Sequence, residues 1–497
     1  MKEKKIYDAI TNIDDELIEN TEKNRQKNHK PRFAKIFAIA ACAAIIIGSA
    51  MILPKMNNSV VDDDIPSQVN SEEQDISSDS SEISSTITPK PDLTKALATV
   101  TQPKAFALDD RQGFNEMCKN NPVDEKFYDS IRKFSCETAA ELAKNSKDNL
   151  VYSPLSLYYA LALTATGANG ETNEEIMNLL AVDDKTYLSE QCRNLYNQLY
   201  RETDSLKFNI ANSLWLNYKN DFEDEFIKNA ADYYYSEVYH ADFSSNETKD
   251  TMSQWVSNNT GGLIKPEFNF RGDELLTLFN TVYFNGEWIW DFDESKNTTD
   301  KFHLSDGAEI ETEFMNGKLL QSYAHTEDAL ISNYNLKHGY KMIFALPNDG
   351  INARDIISSP EKIDNILTAM NSWESTDTFQ ILNGNVTWKI PKFDIKSKTD
   401  LKGMLDTLGM KKAFNDADFT GICADNAVIS EITQDARIKV NEQGVEAAAF
   451  TMEIMTKGGF IGELIDVDMT LDKPFVYILT DRYNNICFIG ICENPIK

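Results

Sequence analysis

The chain has 497 residues, 41% of them hydrophobic and 26% charged. That is enough to bury the core of one domain of about 400 residues with extensions, or of two to three ordinary ones. Its 79 acidic and 49 basic residues give a formal net charge of −30, a surface that repels nucleic-acid phosphates and so excludes a DNA or RNA binder.

The first marked feature is an apolar run at 33–53, uncharged from Ile36 to Leu53. As a helix rising ~1.5 Å per residue it would span roughly 27 Å, close to the hydrocarbon thickness of a bilayer. Lys23, Arg25, Lys27, Lys30, Arg32 and Lys35 precede it, and Lys55 followed by Asp62, Asp63 and Asp64 come after it. The positive-inside rule then predicts a transmembrane signal-anchor at 33–53, with a cytoplasmic basic tail at 1–32 and the rest of the chain outside. Two other readings stay open: a secretory signal cleaved near Gly48-Ser49-Ala50, and a lipoprotein signal ending at Cys42. A buried core helix is the bland alternative. Residues 54–94 are rich in Ser, Asp, Glu, Asn and Pro, and no aromatic follows the apolar run before Phe106, so they predict an extended acidic linker without a core. One domain is predicted over 95–497.

Within it, Phe127, Ile131, Phe134, Ala139 and Leu142 recur at helical spacing over 124–144, with Asp124 as N-cap. Residues 154–166 predict a buried helix capped by Ser153, with Pro154 in its first turn. Apolar strands are predicted at 206–216, 275–284, 341–347, 386–395, 428–440 and 475–491. Helices early and strands late indicate an α+β fold with large antiparallel sheets and helices packed around them. The chain lacks G-x-S-x-G, H-E-x-x-H, P-loop and dinucleotide-binding glycine patterns. His29, His240, His303, His325 and His338 are not spaced as bases or ligands, and none of the seven cysteines forms C-x-x-C. The expectation is neither an enzyme nor a metal protein, with no cofactor.

The most informative stretch follows the strand at 428–440. Residues 443–466 read QGVEAAAFTMEIMTKGGFIGELID. A short helix is one reading, since Ala, Glu and Met favour it. The other is a loop able to become a strand. At period two, Val445, Ala447, Ala449 and Thr451 share one small or β-branched face, while Glu446, Ala448 and Phe450 share the other. The first face can enter a sheet without overpacking the core.

The stretch NEQGVEAAAFT resembles the hinge of serpins, the serine protease inhibitor family, and other segments agree. NLVYSPLS (149–156) runs on into ALALTATGANGETNEEI, and NTVYFNGEW (280–288) and IPKFDIKSKTDLKGMLDTLGMKKAF (390–414) follow, with LDKPFVY (471–477) and FIGICEN (488–494) at the end. Together they resemble the family's motifs in family order over 124–497, here a bacterial-type member with an N-terminal membrane anchor. The resemblance implies the serpin fold with an exposed reactive-centre loop. It also implies a suicide-substrate mechanism: a protease acylates itself on the loop, which then inserts into the central sheet and distorts the protease.

Carried over residue by residue, the hinge is Glu442, Gly444, Val445, Glu446, Ala447, Ala448, Ala449 and Thr451. The groups that govern sheet opening are Asn149, Ser153, Ser156, Asn280, Trp288, Lys392 and Gln434. Lys392 is expected to pair with Glu442, and Gln434 stands where many serpins carry a buried histidine. For each of these residues alone, ordinary core packing or strand capping is the competing reading. Counting from the hinge puts the reactive bond near Gly458-Gly459. Lys457-Gly458 would instead suit a trypsin-like protease, and Met455, Phe460 or Leu464 would suit chymotrypsin-, elastase- or subtilisin-like ones. The expected partners are extracellular serine proteases of these types, met by a monomer. The alternative is a serpin-fold surface binding protein that does not inhibit.

Overall fold

The computed structural model describes the backbone of residues 39–51 and the whole of 95–98, 100–107, 109–372, 374–442 and 465–497. Among the described residues the strands form two sheets, of eight and nine strands. Strands are numbered here in chain order. The first sheet runs β13 (Phe393–Asp400), β14 (Ala427–Val440), β1 (Ile39–Met51), β7 (Glu274–Gly286), β5 (Leu206–Asn217), β6 (Ser236–Ala241) and β2 (Ala96–Ala98), with β4 (Arg201–Glu202) beside β5. The second runs β15 (Ile465–Thr470), β12 (Phe379–Pro391), β9 (Glu309–Thr326), β10 (Ala329–Asn335), β11 (Lys341–Pro347), β16 (Phe475–Thr480), β17 (Ile486–Cys492) and β3 (Leu150–Tyr152), with β8 (Thr298–His303) beside β9. Nearly all pairs are antiparallel; β5–β6 and β12–β15 are parallel. Helices pack around the sheets, and the fold is α+β.

Helix Pro154–Thr166 shows why sequence dictates place. Ser153 Oγ accepts from the Ser156 amide, Pro154 starts the first turn, and twelve of its thirteen residues are buried. A helix apolar on every side must lie inside, and this one lies against β1, β7 and β17. Helix Glu125–Asn145 packs on it, with Asp124 at the N-cap position but without a capping side-chain hydrogen bond.

Two predicted strands are each divided in the structure. The run 386–395 is the end of β12 and the start of β13, which belong to different sheets. Pro391 lacks an amide proton, so the ladder ends there and the chain changes sheets at Lys392. The run 475–491 is the hairpin β16–β17, whose turn uses Asn484 at φ 66° and the Asp481 carboxylate, which accepts from the amides of Tyr483 and Asn485. Gly490 of β17 is required by close approach: a Cβ there would meet the Leu150 carbonyl oxygen at 2.0 Å and Tyr477 Oη at 2.2 Å.

The largest correction concerns the apolar run at the start. Ile39–Met51, the heart of the expected signal-anchor, is a strand inside the first sheet. No helix among the described residues is long and apolar enough to cross a membrane. The physical reason is that an unbroken apolar run suits a strand flanked on both edges as well as a membrane helix, because each meets every backbone donor and acceptor with a partner. The β-branched residues Ile45, Ile46 and Ile47 favour the strand. The membrane anchor, the membrane as a partner and the extracytoplasmic placement reasoned from them are corrected accordingly. The tail at 1–32 and the linker at 54–94 lie outside the described residues.

Candidate functional site

The site is the seam of the first sheet, between β7 and β14. β1 pairs antiparallel with β14 from Ala40↔Lys439 to Met51↔Ala427, and antiparallel with β7 from Ile39↔Gly286 to Ala50↔Glu274. Hence β7 and β14 run parallel to each other, with one strand between them. Bulges at Gly48/Ser49 and Ser49/Ala50 end the regular ladder near the lower end.

Beneath the middle of the seam lies a buried polar row. Gln434 on β14 accepts from the Ser153 amide (2.8 Å) through Oε1 and donates to the Ser153 carbonyl (3.0 Å) through Nε2. Ser156 Oγ donates to Asn280 Oδ1 on β7 (2.5 Å), and Asn280 Nδ2 donates to Asn212 Oδ1 on β5 (2.6 Å). Asn212 Nδ2 donates on to the Tyr234 carbonyl (2.7 Å). Ser153, Ser156, Asn212, Asn280 and Gln434 are all at most 1% exposed. Backbone position Ile45 of β1 is registered to both Asn280 and Gln434, so the strand crosses the seam over this row. An amide, unlike an imidazole, holds both bonds to Ser153 at any ordinary pH.

At the upper end stands a second cluster. Lys392 Nζ lies 2.8 Å from Glu442 Oε1 and 3.0 Å from Glu313 Oε2. Asn297 Nδ2 donates to both carboxylates. Burial works against the Lys392 ammonium, but its hydrogen bonds to Glu442 and Glu313 carry its pKa above the ordinary lysine value. Trp288, fully buried, donates from Nε1 to the Asn441 carbonyl (3.0 Å) and packs edge-on against Tyr334 and Phe292. The last described residues before the loop are therefore held by an indole and an ammonium. β13 and β14 are further joined by the two-pronged Arg437–Asp394 contact, 2.7 Å on each prong.

Of the predicted groups, Ser153, Ser156, Asn280 and Gln434 come together at the middle, and Trp288, Lys392 and Glu442 at the top. Asn149 stands apart. Its Oδ1 accepts from the amides of Glu493 and Asn494 and its Nδ2 donates to the Asn494 carbonyl, so it fastens the C-terminal segment. Gly444, Val445, Glu446, Ala447, Ala448, Ala449, Thr451, Lys457, Gly458 and Gly459 lie outside the described residues. Sequence reasoning missed Asn212, Asn297 and Glu313. Asn212 carried a signal, a polar residue within the apolar run of β5. Asn297 and Glu313 sit on exposed-looking segments and carried none.

The family model described as serpin (serine protease inhibitor) matches residues 129–495. The chain belongs to the serpin family. It is 29% identical over 374 residues to an uncharacterized serpin-like protein of Methanosarcina acetivorans, covering 73% of this chain and 86% of that one. Human serpin B4 is 26% identical over 390 residues, 73% of this chain and 98% of that protein. Among solved structures, the thermophilic serpin tengpin in its native state superposes with TM-score 0.64 at 26% identity, over 79% of this chain and 97% of that one. AtSerpin1 of Arabidopsis, in a conformation described as native and stressed, gives TM-score 0.64 at 25% identity, over 75% and 100%. Serpins generally inhibit proteases rather than catalyse, and the six described cysteines of this one are free thiols.

The turn next to Trp288 gives this serpin an acid-sensitive point. His338 sits at φ 61°, buried, with Nε2 2.9 Å from Ser205 Oγ. Burial, and then Arg201, Arg482 and Lys337, lower its pKa from 6.5 to about 3. A histidine depressed in the fold contributes stability that is present above pH 6.5 and lost as pH falls towards 3. Asp481, raised to about 6 by burial, acts with the opposite sign between pH 4 and 6, so a variant is needed to isolate the histidine. His338→Asn, which tolerates the positive φ, should remove an acid-dependent loss of about 2–3 kcal/mol between pH 7 and 4.5. The check is the pH dependence of urea midpoints, parent against variant, between pH 7 and 4.5. Parallel profiles would contradict this assignment.

Proposed function

We propose that this serpin inhibits serine proteases as a suicide substrate, through a bond within 455–464. The protease's serine oxygen attacks the carbonyl carbon of the reactive bond, and the downstream segment leaves as a free amine. The upstream segment stays as an ester on the protease. Insertion of the hinge, Glu442 to Thr451, beside β14 then outruns hydrolysis of that ester. The observation that carries the reading is the seam itself: it accepts an antiparallel strand directly beside β14, the strand from whose end the loop departs. The small-residue face of the hinge supports the same reading. Trypsin-, elastase-, chymotrypsin- and subtilisin-like proteases are the partners to test, with cleavage at Lys457-Gly458 or Gly458-Gly459. Time-dependent loss of protease activity, with a band that survives boiling in SDS at the summed mass less the released C-terminal peptide, is the expected result. Cleavage of the loop with full retention of protease activity would overturn it.

A second reading draws on a specific observation. β1 already fills the seam, and a sheet permanently filled has no place for a loop. The protein would then be a serpin-fold binding protein without inhibitory action.

A further inference from the structure

The strand in the seam comes from the chain's own N-terminal part, more than 200 residues away in sequence from either neighbour. We propose that β1 is a displaceable internal occupant of the seam, a strand that competes with the reactive loop and so sets how efficiently this serpin inhibits. This rests on the inhibitory reading above and adds the regulation of the same site.

Direction comes first. β14 ends at Val440, and a loop that turns back after Glu442 to lie along β14 must run antiparallel to it. β1 runs that way, entering at Ala40 opposite Lys439, one residue before the end of β14. The incoming loop and β1 would therefore occupy the same place in the same direction. Composition agrees. β1 enters the seam with Ala40, Ala41, Cys42, Ala43 and Ala44, and the hinge offers Ala447, Ala448 and Ala449 after its turn. Both are runs of small residues that meet the upper half of the seam first. Beyond them the backbone of Ile45 is registered to Asn280 and Gln434.

Occupancy is exclusive. Neighbouring strands sit about 4.8 Å apart, and each edge has one ladder to give. Between β7 and β14 both facing edges are given to β1 along twelve registered positions each. A second strand can enter only by unpairing the first. The connection to the domain is long enough for withdrawal. Residues 52–94 number 43, and a chain of that length reaches at most roughly 150 Å. Insertion that must first unzip β1 is slower, and a slower insertion lets more acyl-enzyme hydrolyse. The consequence is a stoichiometry of inhibition above one for the intact chain, falling towards one when β1 is weakened.

Hydrogen–deuterium exchange on the full chain tests this, together with Ile46→Pro. Ile46 is registered to Thr433 and Phe279, and proline there removes the amide from the centre of the ladder. In the parent, amides of 39–51 should exchange at least about 100-fold more slowly than in the free peptide. In Ile46→Pro they should exchange freely, and the stoichiometry of inhibition should fall several-fold. A synthetic peptide of residues 443–455, added in excess to the parent, should also speed exchange of 39–51, which gives an answer that does not depend on the variant folding. Fast exchange of 39–51 in the parent, alongside normal SDS-resistant complexes, overturns the competition and leaves the inhibitory reading standing. So does an unchanged stoichiometry when 39–51 has been freed. If 39–51 is protected in the parent and free in the variant but neither form yields a complex, the inhibitory reading fails and the gating falls with it.

Discussion

Val445→Arg should turn the protein from an inhibitor into a substrate. By period two, Val445 shares its face with Ala447, Ala449 and Thr451, the face of the hinge that would enter the core as the loop becomes a strand. Counted from Glu442, Val445 would be among the first residues to enter at the upper end, where the carboxylates of Glu442 and Glu313 are already taken by Lys392 and Asn297. Burying that charge unpaired costs several kcal/mol, and insertion must outrun ester hydrolysis to trap the protease. Cleavage should therefore proceed at the parent rate while the SDS-resistant complex falls by at least about tenfold, since 1.4 kcal/mol is already a factor of ten. The two are read on one denaturing gel. A variant that traps as well as the parent would remove the hinge from 442–451.

Asn280→Ala should have the largest effect on the resting fold. Its side chain is fully buried and bonds both ways, accepting from Ser156 Oγ and donating to Asn212 Oδ1. Alanine leaves Ser156 Oγ and Asn212 Oδ1 buried without a mate and opens a small void. Each orphaned group costs about 1–3 kcal/mol and the void adds to it, so a loss of roughly 3–5 kcal/mol is expected in chemical denaturation. Asn280→Asp should be no milder near neutral pH, because its carboxylate is a buried charge facing Asn212 Oδ1, and it should recover stability as pH falls, when its O–H can donate to that oxygen. A loss below about 1 kcal/mol would mean that the row is not cooperative.

The sequence showed the fold through spacing and through motifs in order. Helix 154–166 was legible because a cap, a proline and an unbroken apolar run coincide. The upper cluster was legible through Glu442 and Trp288, which stand inside strongly patterned segments. Asn297 and Glu313 were not, because Glu313 reaches Lys392 only after the chain changes sheets at Pro391, and Asn297 joins through the two carboxylates. Asn149 was misplaced for a related reason: it precedes the motif of Ser153 and Ser156, yet β3 carries it to the C-terminal end of the chain. The apolar run at 33–53 misled most. Its charge pattern fits a membrane helix, and only the gap between two mutually parallel strands shows that it also fits a sheet. That gap is a long-range property, set by residues 274–286 and 427–440.

The central claim, covalent trapping by a reactive loop, is tested most directly by intact-mass spectrometry of the full chain mixed with each protease under denaturing conditions. The account predicts a one-to-one adduct of protease and serpin, short by the mass of one C-terminal peptide that begins within 456–465. A chain cut in that window with no adduct, and with the protease recovered unmodified and active, would contradict it.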